Sequence, residues 1–156
     1  MISKNKFMLR AIELSISSAN ATGGPFGCVI VKDDKIIAEG SNKVTFSNDP
    51  TAHAEIIAIT AAANTIGDWR LNKCTLYVTK EPCPMCAGAI INSRLKMVVF
   101  GAYDEENGCC GSLYQLCGDP RFKTKIAVKG GILKEESLTI IKDFYKVIRK
   151  IKSYER

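Results

Sequence analysis

Two short clusters of reactive side chains, about thirty residues apart, constrain the fold of this chain more than any other feature. The first is Thr51-Ala52-His53-Ala54-Glu55 and the second is Glu81-Pro82-Cys83-Pro84-Met85-Cys86. One imidazole and two thiolates are a documented ligand set for a zinc ion that keeps its fourth position open. His53, Cys83 and Cys86 supply that set. If they share one ion, the fold must bring the two clusters together.

The two cysteines are predicted to lie side by side at the start of a helix. Positions three apart are neighbours on a helical surface, so Cys83 and Cys86 can reach one ion. Pro84 suits the first helical position, and the apolar run of residues 87–91 continues the element. Free N–H groups at a helix start favour anions, which stabilises thiolates there. The helix and the metal site therefore support each other.

The histidine and the glutamate of the first cluster are predicted to have different roles. Asp49-Pro50 precedes them and predicts a helix from about Pro50 to Asn64. Residues two apart on an ideal helix point about 200° away from each other, so a shared ion must lie beyond the helix end. His53 would then bind the ion. Glu55 would instead reach a water in the open position and carry its proton.

The cysteine pair alone has other interpretations. A Cys-x-x-Cys motif also occurs as a redox pair or as half of a structural zinc site. His53 is the only histidine of the chain and stands two residues before a carboxylate, which favours catalytic zinc. His-x-Glu followed by Pro-Cys-x-x-Cys is the known signature of zinc nucleobase deaminases. A catalytically silent zinc scaffold stays open as an alternative, although such a protein is expected to have lost Glu55.

Length and cysteine content bound the class of protein. The chain of 156 residues predicts a single domain, residues 1–156. Seven cysteines, an odd number, with no signal-peptide pattern before Phe7, predict a reducing, cytoplasmic location. No apolar run approaches the roughly 18 residues of a membrane span. Cys109, Cys110 and Cys117 fall in a glycine-bearing loop without an assigned role; a second metal site there is an open alternative, but no histidine is left for it.

The positive charge is concentrated at the end of the chain. The formal net charge is +6, and residues 142–156 hold six basic and two acidic residues. Lys146, Arg149 and Lys150 lie in this segment and are predicted to contact nucleic-acid phosphates. The alternative is an ordinary solvated helical face.

Hydrophobic periodicity and turn residues predict a layered α/β arrangement. We expect helices at about 4–20, 50–64, from Pro84 onward and at about 134–152, and strands at 28–31, 36–38, 74–78, 95–100 and 125–128. Residues 41–49 are expected to form a polar loop. The last helix is expected to bury a stripe made of Ile141, Phe144, Tyr145, Ile148 and Ile151. Strands alternating with helices predict a sheet that is buried between helical layers.

Further motifs carry a resemblance to a known family over essentially the whole chain. Residues 23–27 and 47–55 are similar to guanine deaminases, whereas the chain from Trp69 onward is similar to bacterial tRNA adenosine deaminases. The second set of motifs comprises Leu76-Tyr77-Val78-Thr79, Cys86-Ala87-Gly88, Asn92-Ser93-Arg94, Gly111-Ser112-Leu113, Gly131-Ile132-Leu133 and Asp143-Phe144-Tyr145. Both groups lie in one branch of the cytidine deaminase superfamily, which this chain resembles.

The resemblance implies a fold, a cofactor and contacts to the base. The implied fold is a three-layer α/β/α arrangement, with a five-stranded mixed sheet flanked by helices, one Zn²⁺ per chain and a homodimer. Asn42 and the backbone of Ala54 would hold the base, and Phe26 would lie against it. Asp104 and Tyr145 would lie near the bound nucleotide.

The two likenesses imply different substrates. Guanine deaminases typically carry an acid near the position of residues 111–114 that reads the guanine edge, and this chain lacks it. The tRNA enzymes typically have valine or isoleucine at the place of Phe26, so that match is also incomplete. Because the basic tail suits RNA, we expect hydrolytic deamination of a purine, namely adenosine to inosine in a tRNA anticodon loop. The alternatives are conversion of free guanine to xanthine, deamination of cytosine, and a non-catalytic zinc-binding partner subunit.

Overall fold

The computed structural model describes residues 2–21 and 23–155 and contains one mixed sheet within them. Its strands are β1 (Gly27–Lys32), β2 (Lys35–Ser41), β3 (Thr75–Lys80), β4 (Met97–Ala102) and β5 (Ala127–Lys129). The spatial order is β2-β1-β3-β4-β5. β1 pairs antiparallel with β2 and with β3, whereas β3, β4 and β5 are parallel. The five predicted strands are confirmed, with β4 and β5 beginning two residues later than expected.

Helices cover both faces of this sheet. They are α1 (Ile2–Asn20), α2 (Val44–Ser47), α3 (Ala54–Ile66), α4 (Pro84–Asn92) and α5 (Lys134–Tyr154). α3 and α4 pack on one face, while α1 and α5 pack on the other, so the three-layer α/β/α fold is confirmed. Among the described helices, none is both long enough and apolar enough to cross a bilayer.

Each face of the sheet has its own hydrophobic core. Between the sheet and the helices α3 and α4, strand residues such as Leu76 and Phe100 pack with Ala58 and Ile90. On the opposite face, Phe7 and Met8 of α1 pack against Val29 and Tyr77. Successive side chains along each strand point to opposite layers, which explains why β1 and β3 are buried except at their end residues.

The first turn of α3 lies unusually close to β2 because Gly40 has no side chain. A Cβ atom on Gly40 would overlap the carbonyl oxygen of Ala54 and come within 2.8 Å of the backbone nitrogen of Ala58. The glycine therefore lets the helix approach the strand directly. This contact holds the turn that carries Glu55 against the sheet.

The predicted start of α3 at Pro50 is wrong, because the helix begins at Ala54 with His53 as its N-cap residue. The Asp49 carboxylate accepts hydrogen bonds from the backbone N–H of Thr51 at 2.8 Å and from its hydroxyl at 2.7 Å. Asp49 therefore closes a turn before the helix and does not cap it. The expected polar loop at 41–49 also differs, since it contains the short helix α2.

The predicted buried stripe of α5 is only partly buried. Ile141, Phe144 and Ile148 are half-buried, whereas Tyr145 and Ile151 are 43% and 49% exposed. The buried residue of α5 is Ser137 in its first turns, where the helix packs against β4. The later turns contribute no buried residue. Their apolar side chains are therefore not covered by the rest of this chain.

Candidate active site

His53 and Cys83 each occupy the position immediately before a helix. His53 is the N-cap residue of α3, and Cys83 is the N-cap residue of α4, with Pro84 at the first helical position as predicted. Neither side chain forms a capping hydrogen bond to its own helix. The imidazole and the thiol are therefore available to a shared ligand. Cys86 follows in the first turn of α4 and is buried.

The spacing of these three side chains fits a zinc ion. The Nδ1 atom of His53 lies 3.6 Å from the Sγ atom of Cys83 and 3.5 Å from the Sγ atom of Cys86. All three ligand atoms lie within 4.8 Å of one another. Tetrahedral zinc, with bonds of about 2.3 Å to sulfur and about 2.0 Å to nitrogen, separates a nitrogen ligand from a sulfur ligand by about 3.6 Å. The donor types and their spacing both match.

Hydrogen bonding within the cluster already favours one thiolate. The hydrogen bond with the Cys86 thiol lowers the pKa of Cys83 to about 4 against the effect of burial, and His53 adds to the lowering. The same contact, together with burial, raises the pKa of Cys86. Hydrogen bonding to Cys83 raises the pKa of His53. The thiolate is the form of cysteine that binds metals, so Cys83 is prepared for this role.

Glu55 lies next to the cluster in the first turn of α3. Its side chain is 7% exposed, and burial is the main cause that raises the pKa of its carboxyl group. The carboxyl group borders the same cavity as His53 and Cys83. It is therefore shielded from bulk water and open to a molecule inside the cavity.

The cavity has a volume of about 480 Å³ and is large enough for a nucleobase. Eight of the predicted site residues line it, and they are Phe26, Asn42, His53, Ala54, Glu55, Cys83, Asp104 and Tyr145. Of these eight, Tyr145 belongs to α5. Sequence reasoning missed the remaining lining residues, which are Val44, Thr45, Val78, Lys80, Glu81 and Asn107. Most of these lie in the short helix α2, at the end of β3 or in the loop after β4.

Comparisons with known proteins decide the family. A family model described as the cytidine and deoxycytidylate deaminase zinc-binding region matches residues 1–102, which include both clusters. The chain belongs to this deaminase family. Zinc is therefore its cofactor, and His53, Cys83 and Cys86 are positioned to hold the ion.

Relatives of the deaminase fall into the two expected groups. It is 40% identical to the tRNA-specific adenosine deaminase of Bacillus subtilis strain 168 over 150 residues, which are 96% of this chain and 93% of the relative. It is 56% identical to the guanine deaminase of the same organism over 97 residues, 62% of each protein. A solved structure from a study of A-to-I editing by tRNA:A34 deaminases matches with a TM-score of 0.83 and 36% identity, covering 86% of this chain and 98% of the other.

Two residues that are expected to touch the base, Asn42 and Phe26, already have contacts within the protein. The Nδ2 atom of Asn42 donates to the carbonyl oxygen of Gly23 at 2.5 Å, and its Oδ1 atom accepts a longer bond of 3.4 Å from the N–H of Val44. The amide of Asn42 is thus oriented by the loop around it. The ring of Phe26 is half-buried on the wall of the cavity, with the Nζ atom of Lys80 5.4 Å from its centroid.

Asp104 is held by its neighbours in the deaminase. Its carboxylate forms an ion pair of 3.0 Å with Lys80 and accepts hydrogen bonds from the N–H groups of Glu106 and Asn107. Burial opposes ionisation, but Lys80 and these N–H groups together lower the pKa of Asp104. The carboxylate is therefore charged and already engaged by Lys80 and two backbone N–H groups.

Glu81 fastens the loop after β4 to the wall of the cavity. This carboxylate is 3% exposed and accepts hydrogen bonds from the N–H groups of Cys110 and Ser112 at 3.2 and 3.1 Å. The hydroxyl of Ser112 donates to it at 2.5 Å, and the N–H of Asp104 at 3.4 Å. A Cβ atom on Gly108 would overlap the carboxylate. One buried side chain thus shapes the loop that carries Asp104.

Replacing Glu81 with glutamine is expected to lower the free energy of unfolding by about 1–3 kcal/mol, because an amide NH₂ would face N–H donors that then lack an acceptor. Urea denaturation measures this loss, and amide hydrogen exchange at Cys110 and Ser112 should become faster. Glu105→Gln, in an exposed part of the same loop, is the matched control and should stay within about 0.5 kcal/mol of the parent. Equal stability of the two variants would contradict this role of Glu81.

The three cysteines of this region pack as core residues. Cys109, Cys110 and Cys117 are buried in the hydrophobic cluster beneath α4. Burial is the main cause that raises the pKa of Cys109, which favours the protonated thiol. In the part of the chain that the structure describes, no second group of three potential ligands has metal-binding spacing. The alternative of a second metal site therefore has no support.

The basic tail lies outside the cavity. Lys146, Arg149 and Lys150 are exposed on α5 and do not line the cavity. Lys146 makes a weak ion pair of 3.9 Å with Asp143. Arg156, which was counted in the predicted tail, lies outside the described residues. Tyr145 connects the two regions, because it lines the cavity and directly precedes Lys146.

Proposed function

We propose that this deaminase converts adenosine to inosine in the anticodon loop of a tRNA, with water as co-substrate and ammonia as product. The observation that carries the proposal is which partner each carboxylate on the cavity wall already binds. Among the described lining residues these are Glu55, Glu81 and Asp104. Glu81 is occupied by the loop, Asp104 by Lys80 and Glu55 by the proposed proton transfer, which leaves no further acid to read the edge of a guanine.

The extent of the similarities supports the same choice. The match to a tRNA-specific adenosine deaminase covers nearly the whole chain at 40% identity, whereas the guanine deaminase that is 56% identical covers 62% of it and a guanine deaminase structure that covers 90% is only 26% identical. The shorter match leaves out part of the chain, and the long match spans α5 and its basic residues. Within the tail, Tyr145 lines the cavity and Lys146 follows it, which supports contacts between the tail and phosphates beside a bound base.

In the proposed reaction each site residue has one task. His53, Cys83 and Cys86 hold zinc, which supplies Lewis-acid activation of water at neutral pH. Glu55 takes a proton from water and delivers it to a ring nitrogen of the base. Carbon 6 gains oxygen from water and loses its amino group as ammonia.

The other proposed contacts place the base. Phe26 packs against its face, and Asn42 and the backbone N–H of Ala54 bind its polar edge. Asp104 and Tyr145 border the flanking nucleotide. The anticodon loop suits such a pocket because its unpaired bases can be turned outward at modest cost.

We further infer that residues 1–156 act as a single deaminase domain in the cytoplasm and assemble as a homodimer. The surface of α3 supports the dimer, because apolar side chains such as Ile56 and Ile59 are only partly buried by this chain. A Cβ atom on Gly88 would meet no other atom within 4 Å, so the middle of α4 could accept the close approach of another chain.

A panel assay tests the substrate. Ammonia release and base composition are measured for guanine, adenine, guanosine, adenosine, cytosine and a tRNA anticodon stem-loop that has adenosine at the wobble position. We expect inosine only in the stem-loop. The matched control is the same stem-loop with guanosine at that position, which should release no ammonia.

Other outcomes of this assay support the alternatives. Conversion of free guanine to xanthine would replace the proposal with guanine deaminase, for which Phe26 on the cavity wall and the 56% identity are the favourable observations. Activity on cytosine alone would indicate the third candidate. A zinc-loaded protein that is silent towards all six substrates would indicate a non-catalytic partner subunit.

A further inference from the structure

A second depression lies at the opposite end of α4 from the candidate metal centre. Two adjoining cavities of about 400 and 570 Å³ share Arg94, Lys123 and Thr124 in their walls. The larger one also contacts Asn92, the last residue of α4, whereas Cys83 precedes its first residue. At 1.5 Å per residue the helix separates the two regions by about 13 Å. We refer to this depression, formed by Arg94, Lys96, Lys123, Lys125, Trp69 and Phe122, as the basic groove.

The charge of the basic groove is of one sign. Its four cationic side chains are exposed, and no carboxylate occurs among the described residues that line the two cavities. In the described part of the chain, Arg94, Lys96 and Lys123 form no ion pair. Two acids outside its walls act on the groove, and each is paired with another arginine: Asp68 with Arg70 and Asp119 with Arg121. A concave surface with this charge attracts a polyanion.

Trp69 contacts two arginine side chains at the groove. The indole is 52% exposed, and the guanidinium carbons of Arg70 and Arg94 lie 4.5 and 5.1 Å from its ring centroid. Cation–π contacts of this kind hold a guanidinium in place while its N–H groups stay free to bind phosphate. Phe122, 40% exposed, adds a second aromatic surface to the groove. Cations interleaved with exposed aromatic rings are typical of surfaces that bind RNA.

We propose that the basic groove binds the phosphate backbone of RNA at a second place, away from the catalytic pocket. This inference rests on the proposed function, because it assigns the groove to the same tRNA substrate. A second copy of this chain fits the groove poorly. A two-fold symmetric contact through it would bring identical cationic surfaces together, which costs free energy instead of gaining it.

Charge reversal in the groove tests the assignment. Lys123→Glu and Lys96→Glu are compared with Lys35→Glu, an exposed lysine on β2 at the opposite edge of the sheet. The affinity for an unmodified tRNA transcript is measured at several salt concentrations. We expect each groove variant to weaken binding about fivefold and to reduce the slope of log Kd against log salt by about 1, whereas the control changes the affinity by less than about twofold.

Two results would overturn the assignment. One is a groove variant that matches the control in both affinity and salt slope. The other is a change in sedimentation behaviour with tRNA affinity intact, which would make the groove a contact between copies of this chain. The replaced lysines are exposed, so each variant should still fold. Zinc content and thermal unfolding verify this. A protein that binds tRNA through the groove but forms no inosine keeps this inference and removes the proposed function.

Discussion

Replacing Glu55 with glutamine is expected to lower kcat by about 10³-fold, because the amide keeps the shape of the side chain but cannot carry a proton. The carboxylate is buried beside His53 and Cys83 on the cavity wall, so few other groups can take over its task. Glu55 is not one of the three groups with ligand spacing, and the variant should therefore retain one zinc ion per chain. Inosine formation and elemental analysis on the same preparation measure both quantities.

The control for this prediction is Glu105→Gln, which removes an exposed carboxylate from the loop after β4 and should leave kcat unchanged. A Glu55→Gln protein that keeps both zinc and full kcat would show that the proton moves through another group. A protein that loses zinc would show that Glu55 belongs to the ligand set. Either result would contradict the role assigned to it.

Local sequence signals were sufficient for the metal cluster and for α4. Pro84 marks the first helical position, and the three-residue spacing of Cys83 and Cys86 depends only on helical geometry. The start of α3 could not be predicted in the same way. Histidine is not among the favoured N-cap residues, whereas Asp49 is, so the capping signal pointed to a residue whose side chain binds Thr51 instead.

Contacts between distant parts of the chain were not predictable. Glu81 binds Cys110 and Ser112 across about thirty residues of sequence, and the loop that contains these two partners has no hydrophobic period. The buried cysteines of that loop look, in sequence, like candidates for metal binding. In the fold they fill the space beneath α4, where small apolar side chains are needed.

The pattern of α5 predicted an element correctly and its environment incorrectly. Amphipathic spacing shows that one face of a helix avoids water, but it does not show which surface covers that face. In this chain the first turns of α5 meet β4, and Tyr145 reaches the cavity, while Ile151 stays exposed. The exposed part of the stripe is consistent with a helix that contacts another molecule.

Replacing Cys86 with alanine is expected to remove zinc and to reduce turnover by at least about 10³-fold, because the two remaining protein ligands do not retain the ion. Cys86 is fully buried behind the cavity wall, so water can replace its sulfur only with difficulty. Loss of the ion also unlinks the starts of α3 and α4, and the melting temperature should fall. Elemental analysis, thermal unfolding and the stem-loop assay measure the three effects.

Cys74→Ala is the matched control, because this cysteine is equally buried but lies outside the cluster. The control should lose some stability through the missing sulfur and still retain zinc and turnover. The comparison distinguishes the effect of a damaged core from the effect of the lost metal. A single variant could not distinguish these two causes. One zinc ion per chain and full activity in Cys86→Ala would mean that a different side chain completes the ligand set, and the arrangement of His53 and Cys83 at two helix starts would then need another explanation.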